Sequence, residues 1–358
     1  MFRPLVCASA FITLAARGSE ATTSDFESAP TSGPSAETSQ LEPFDLAVTT
    51  SESGGGVTHT VDTPNGPVEV PVDLTRVTAL NEFAAMNLLA VGVVPTVVYG
   101  AFGSVVGQEL LAEASSEIRS QEGFSTPNIE DVAASEPELI VYSTEGGLAD
   151  IYDPLSTIAP TVELPSDVPW REAIAGATRA VDRDDEAERQ VSVLDKKIEA
   201  LSARVAEQPT SVSILADTYG MVFAASMNSP LSGLPEEIGI SRPAAVTEGT
   251  PDETFTAAVM ISTKNLTDHD ADAVVVLSGA FYNEQTLLDA PTFDALPAVV
   301  DGRSVVADGD LWFGTFPFAV FWVLTDVEAI LDGAGQDGIG TLDDVDDHWA
   351  DYNQLVAS

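Results

Sequence analysis

The chain is 358 residues long, room for about two domains. Its 57 acidic and 14 basic side chains leave a net charge of −43, which argues against a nucleic-acid partner or a polybasic membrane contact, because phosphates call for Lys and Arg. With 44% apolar residues there is material for a sizeable core, so the chain is not disordered throughout. An acidic excess with only Lys196, Lys197 and Lys264 as lysines fits an exported or salt-exposed protein kept soluble by charge repulsion.

The first segment, 1–18, reads as an export signal. Arg3 precedes an apolar run from Leu5 to Ala16, followed by Gly18 and Ser19, and the run is too short to span a bilayer. A buried N-terminal helix is the alternative. Cys7, the single cysteine, lies inside this segment, so the mature chain has no thiol for a disulfide or a Cys metal cluster. Residues 19–56 turn to Ser, Thr, Glu, Pro and Gly and end in Gly54-Gly55-Gly56, the composition of a flexible tether. No later run reaches the ~18 apolar residues of a membrane span.

Beyond the tether, short β-rich runs alternate with helical ones, which predicts α/β architecture. Arg76–Leu80 reads as a strand and 82–91 as the helix after it. Leu139–Tyr142 and Ala273–Leu277 are unbroken apolar runs, as buried parallel strands require. Between them, Ala187, Val191, Leu194, Ile198, Leu201 and Val205 recur at spacings of four and three, predicting one helix over 184–206 that Pro209 stops. A short coiled-coil segment is the alternative; a central position favours a connector between two halves. Those halves resemble each other: Ile129-Glu130-Asp131-Val132 before Leu139-Ile140-Val141 is matched by Thr263-Lys264-Asn265-Leu266 before Ala273-Val274-Val275, at a constant offset of 134. The expected fold class is therefore α/β: two similar lobes, 57–180 and 209–358, joined by one long rigid helix within 181–208.

Arg76-Val77-Thr78-Ala79-Leu80-Asn81-Glu82, Leu89–Val93, Asn128–Ala133 with Pro137–Val141, Leu155–Val162, Asp270–Val276 and Leu311-Trp312 together resemble the periplasmic-type solute-binding proteins of ABC importers for ferric siderophores, haem and vitamin B12. The similarity runs from about Val68 to the C-terminus. It implies a cleft between the lobes holding an Fe(III)-siderophore, with no resident cofactor, a modest closure upon a stiff bridge, a monomer, and an extracytoplasmic place at a membrane permease. The family's usual lipidated cysteine after a Leu-Ala-Ala triplet is replaced here by Arg17, which cannot carry a thioether lipid.

Ligands in such a fold sit at the C-terminal ends of strands and at helix N-termini. The candidates there are Asn81, Glu82, Tyr99, Phe102, Ser143, Thr144 and Trp170 in the first lobe. Tyr219, Met227, Arg242, Phe281, Tyr282, Trp312 and Phe313 are those of the second. Aromatics would cover the apolar face of a chelate, and Arg242 would meet a carboxylate or catecholate. With the export signal and Arg17 set aside, most of the remaining basic residues fall on or near the 184–206 helix, so a hydroxamate-type chelate of low charge is expected over a catecholate. Glu130 matches the first of the two carboxylates that dock the family on its permease; the second-lobe equivalent is Lys264, with Asp252, Glu253 or Asp268 as substitutes. Haem and cobalamin are alternative ligands. A metal-dependent enzyme is the rival class, but there is no Gly-x-Ser-x-Gly, no Gly-Lys-Ser/Thr phosphate loop and no His-Glu-x-x-His. Asp268-His269-Asp270-x-Asp272 reads as a polar turn, and the acidic stretch Asp343–His348 as a solvated helix end. A two-lobed adhesin without a ligand is the third possibility.

Overall fold

Sheet order explains how the chain is built in the computed structural model, which describes residues 49–53, 56–100, 105–120, 126–143, 151–165, 168–227, 233–253 and 255–357. All of these belong to one unit, Leu46–Ser358. The export-signal reading and most of the tether lie outside the described residues. The rest of that tether differs from expectation: β1 (Thr49–Ser53) pairs antiparallel with β2 (Gly56–Thr63), and β2 with β3 (Gly66–Pro71). A Ser/Thr-rich run poor in apolar residues is here joined to β2 by ladder hydrogen bonds. The hairpin from β2 to β3 turns on Gly66, whose φ of +104 needs a residue without a Cβ.

The first lobe is a five-stranded parallel sheet of order β6-β5-β4-β7-β8. Its strands are β4 (Val77–Ala79), β5 (Val97–Gly100), β6 (Glu117–Ser120), β7 (Leu139–Ser143) and β8 (Thr161–Leu164). They alternate with α1 (Glu82–Ala90), α2 (Val105–Glu113), α3 (Ile129–Ala134), α4 (Tyr152–Ser156) and α5 (Trp170–Ala180). Every residue of β7 is buried, as expected of a strand covered by helices on both faces.

α6 (Asp184–Glu207) then runs for 24 residues and leaves the lobe. No side chain caps its N-terminus, but Asp184, Asp185 and Glu186 place negative charge at the positive end of its dipole. Leu194, Ile198, Leu201 and Val205 are buried along it, each contributing roughly 1.5–3 kcal/mol by leaving water.

The second sheet has the order β11-β10-β9-β12-β13. Its members are β9 (Val212–Thr218), β10 (Met221–Ala225), β11 (Ala258–Met260), β12 (Ala273–Ser278) and β13 (Ser304–Asp308). β9, β12 and β13 are parallel, and β10 runs antiparallel between β9 and β11. Helices α7 (Gly233–Ile238), α8 (Ala244–Thr247), α9 (Gln285–Leu288), α10 (Pro297–Val300), α11 (Gly309–Trp312), α12 (Pro317–Asp332) and α13 (Val345–Val356) complete it. The internal repeat has a structural counterpart: β4 and β7 pair at Val77–Leu139, β9 and β12 at Val212–Ala273, in the same places of the two sheet orders. The lobes part company at β10, where a hairpin replaces the crossover of the first lobe.

One continuous core passes from the inner face of the first sheet through α1, α5, α6, α12 and α13 to the inner face of the second. Smaller cores back the outer faces, one around Ile140 and Tyr142 and one around Val274 and Val276. α12 lies alongside α6 and runs the same way: Lys197 meets Glu328 at 2.9 Å, and Arg204 reaches Glu328 and then Asp332. α11, which follows the C-terminal end of β13, meets α12 through Trp312 and Asp326, two residues before the Glu328 that faces Lys197, so that end lies toward the middle of α6. The first turn of α5, which follows β8, also touches the middle of α6, through Arg171 and Asp195. The C-terminal strand ends of both sheets therefore converge on the same level. No helix among the described residues is long and apolar enough to cross a membrane.

Candidate functional site

On the first-lobe side the described strand ends include backbone and small polar groups. Asn81 follows β4 and caps α1, its Oδ1 accepting from the Ala84 amide at 3.0 Å. Its Nδ2 donates to Ser143 Oγ at 2.6 Å, which ties the ends of β4 and β7 together. Gly100 closes β5 with a φ of +130, and a Cβ there would press on Asn81 Cα at 3.3 Å. The Glu82 carboxylate lies against Gly107 of α2, where no Cβ fits. Phe102 and Thr144 lie outside the described residues.

Tyr99 is buried in β5, its hydroxyl accepting from Arg119 Nη1 at 2.6 Å, with the guanidinium 5.4 Å from its ring. Burial pushes its phenol above the ordinary value. Trp170 opens α5 and is buried in the continuous core.

The second-lobe side carries a wall of large side chains. Tyr282 stacks on Phe313 with ring centroids 6.0 Å apart, Phe313 meets Phe255 at 6.5 Å and Phe223 at 6.2 Å, and Phe223 meets Phe255 edge-on at 5.3 Å. Tyr282, Phe313 and Phe255 are half-buried, while Phe223 is sealed behind them. Register extends this surface. Phe223 pairs with Met260, so those two share a face, and Met221 joins them two residues along β10. Met221 and Met260 are 43% and 42% exposed, and the hairpin tip next to them presents Tyr219 at 77%. Met227, two residues beyond β10, is also exposed. Phe281 contributes its carbonyl, which accepts from Thr218 Oγ1 at 2.8 Å and pins the loop after β12 to β9.

Two candidates hold the wall from behind. Trp312 is buried and donates from Nε1 to Asp326 Oδ2 at 2.8 Å. The other Asp326 oxygen accepts from the Gly340 amide, yet burial still lifts this carboxyl to about 7. The Arg242 side chain has no solvent exposure; it donates to Glu236 Oε1 at 3.1 Å and to the Ala225 carbonyl at 2.9 Å. Burial pulls the guanidinium down and pushes the Glu236 carboxyl up, each restrained by the charge of the other.

Carboxylates flank the Tyr282 ring. Gly279 has its open side against Asp310 Oδ2, and Gly309 against the ring itself, so neither position has room for a Cβ. Asp310 is raised to about 7 by burial and then by Asp308, and its Oδ2 has no hydrogen-bond partner. Burial and these two acids hold the Tyr282 phenol well above its usual range.

Of the residues expected from the sequence, Tyr282 and Phe313 stand in this wall and Tyr219 and Met227 are exposed near β10, while Met221, Met260, Phe255 and Asp310, which extend or flank it, were not among them. The signal for the methionines was the Tyr219-Gly220 dipeptide, a hairpin turn that fixes which face each residue of β10 occupies. Among the described residues, no group of three or more His, Cys, Asp or Glu is arranged to hold a metal. His269 is buried at the end of a 3-10 turn, Thr263–His269, as the polar-turn reading expects.

Glu130 is exposed in the first turn of α3, its amide bonded to Asn128 Oδ1 at 2.8 Å. Lys264 occupies the matching turn before β12 and is exposed, as are Glu253 and Asp268.

The family model described as periplasmic binding protein matches residues 77–311. A comparison with curated protein sequences finds no match. Solved structures share the fold. A siderophore periplasmic binding protein from the fuscachelin gene cluster of Thermobifida fusca aligns with TM-score 0.61 at 22% identity, over 74% of this chain and 98% of its own. A FhuD fold-family protein of Bacillus subtilis, a periplasmic component of a Fep/Fec-like ferrichrome ABC transporter, gives 0.62 at 20%, over 75% and 98%. The petrobactin-binding protein YclQ of Bacillus subtilis gives 0.63 at 14%, over 77% and 99%.

Proposed function

The chain belongs to the periplasmic binding protein family, and from that premise we propose that it is the extracytoplasmic substrate-binding protein of an ABC importer, capturing a ferric siderophore and delivering it to the permease. Iron is cargo in this reading, carried inside its chelate, and the protein supplies no resident cofactor and no catalysis. The observation that carries the reading is the half-buried wall of Tyr282, Phe313, Phe255, Met221 and Met260 at the strand ends where the lobes converge. Such a surface covers the apolar flank of a chelate, and flexible methionines adapt to its outline.

Charge supports a hydroxamate type. Arg242 is sealed against Glu236, Arg119 is engaged by Tyr99 and Glu117, and Asp308 and Asp310 flank the wall. A tri-catecholate with its several negative charges would meet carboxylates there and not a ring of arginines, whereas a neutral trihydroxamate loses nothing. Intrinsic fluorescence titration with a neutral ferric trihydroxamate, a ferric tri-catecholate, haem and cobalamin tests this. Tight binding of the trihydroxamate with at least tenfold preference is expected; tight binding of the catecholate or a tetrapyrrole instead overturns it.

Docking on the permease is assigned to Glu130, whose place in the first turn of α3 leaves it exposed and free of ion pairs in the described structure. Asp268 or Glu253 takes the second-lobe part in place of Lys264. Glu130→Lys is expected to abolish uptake in a reconstituted importer while ligand affinity stays the same, and full uptake by the variant refutes the assignment.

A further inference from the structure

Beside the continuous apolar core, two polar ties join the lobes across α6, and they differ in kind. The first is neutral and sealed. Gln190, fully buried, donates from Nε2 to the Ala90 carbonyl at the end of α1 (2.5 Å) and to Glu186 Oε1 (2.8 Å). Its Oε1 accepts from the Tyr352 hydroxyl of α13 at 2.5 Å, and Tyr352 is itself enclosed by Phe318, Phe321 and Trp349. A buried amide satisfied at both ends has no water to exchange with, so this point is a fixed pivot.

The second tie is ionic and wet. Arg171, in the first turn of α5, points its Nε at Asp195 Oδ1 of α6 (3.1 Å) and its Nη1 at Glu237 Oε2 of α7 (3.2 Å), while Nη2 touches both carboxylates. The three side chains are 35%, 39% and 37% exposed. The guanidinium also lies 4.3 Å from the centre of the buried Trp170 ring, which fixes its plane. Among the ion pairs of the described residues, Arg171–Glu237 alone joins the first lobe directly to the second. Asp195 follows Gln190 by five residues, about 140° around the helix at 3.6 residues per turn, so clasp and pivot occupy nearly opposite faces of α6. A tie that water and salt reach opens before one they do not. Rotation about the Gln190 pivot therefore opens on the Arg171 side.

We infer that Arg171 is a positioning residue for the ligand cleft: it clasps Glu237 of the second lobe to Asp195 of the bridge and so sets the separation of the two strand-end surfaces. The inference rests on the ligand-binding reading above for its consequence, but its geometry can be tested without any ligand. A single ammonium cannot bridge two carboxylates as the planar fork does, so lysine is a partial replacement by construction.

The experiment uses the full chain in two stages. Without ligand, amide hydrogen exchange and small-angle scattering compare wild type, Arg171→Met, Arg171→Lys, Glu237→Gln and the Arg171→Met/Glu237→Gln double variant. Arg171→Met, which keeps the stem over Trp170, is expected to speed exchange in α5 and α7 and enlarge the radius of gyration, with Tm almost unmoved. Glu237→Gln should match it, the double variant should be no worse, and Arg171→Lys should fall between. With ferrichrome as the neutral ferric trihydroxamate probe, Arg171→Met should bind about tenfold more weakly than wild type, Arg171→Lys should recover part of the loss, and added salt should narrow the gap between wild type and Arg171→Met. Unchanged exchange in α7, or an affinity loss that follows Tm and is not rescued by lysine, overturns the inference. If wild type binds neither ferrichrome nor the other ferric chelates, the ligand reading fails by itself, and the clasp stands or falls on the exchange and scattering.

Discussion

Arg242 and Asp310 show how burial decides the work a charged group can do. Arg242 has its guanidinium committed to Glu236 and to a backbone carbonyl, away from solvent, so removing it strands a largely buried carboxylate. Arg242→Leu is expected to cost ~3–5 kcal/mol in urea unfolding, less whatever Glu236 recovers by taking a proton, and Glu236→Leu added to it should restore most of the loss. A large drop in chelate affinity at unchanged stability would place Arg242 at the ligand after all. Asp310 behaves oppositely, because its folded value of about 7 lies above the unfolded 3.8. An acid raised on folding costs nothing well below its unfolded value, where both states are protonated; its penalty grows between the unfolded and folded values and levels off above about 7. Asp310→Asn should therefore gain ~1–2 kcal/mol at pH 8, after discounting for partial exposure, and far less at pH 4. Thermal melts of both proteins across that range check the sign; an equal gain at every pH would mean that packing, not titration, is responsible.

At the scale of elements, the hairpin between β9 and β10 shows a local cost. Tyr219 and Gly220 both have positive φ, +52 and +82, as a type I′ turn requires, but tyrosine is a poor occupant of the left-handed region. Its ring is 77% exposed and recovers little by packing. Tyr219→Asn should raise stability by ~0.5–1 kcal/mol, and if the ring touches the chelate it should weaken binding at the same time. Stability and affinity measured on the same preparation decide this: a gain in stability with unaltered affinity removes Tyr219 from the site. The same hairpin marks the limit of what patterning reveals. α6 was readable because Leu194, Ile198 and Leu201 fall on one stripe, and β7 and β12 because parallel strands covered on both sides are apolar without a break. The wall was only half readable. Tyr282 and Phe313 stand out as aromatics after a strand, but an exposed Met260 and a core methionine look alike until the pairing with Phe223 assigns a face. Burial was the other blind spot: Trp170, Trp312 and Arg242 have the chemistry of ligand contacts, and nothing local in the sequence says that the fold closes over them.

For the whole molecule, charge is the dominating quantity. With 57 acidic against 14 basic side chains, a formal excess of 43 negative charges stays uncompensated whatever the fold does. The ion pairs among the described residues are mostly half-exposed, and each contributes ~0–1 kcal/mol. Salt weakens these pairs, but it also screens a repulsion between many more groups, and the second effect wins by number. Raising KCl from ~0.01 M to ~0.1 M shortens the screening length from ~30 Å to ~10 Å, less than the distance across one lobe, so most of the gain should appear in that interval. Tm is therefore expected to climb steeply at low KCl and then level off. The same climb should be largely absent at pH 4, where many carboxylates are neutral and little repulsion is left to screen. A Tm that is flat or falling with salt at pH 7 would mean that the few ion pairs, Arg171 with Asp195 and Glu237 foremost, outweigh the unpaired acids in holding the lobes together.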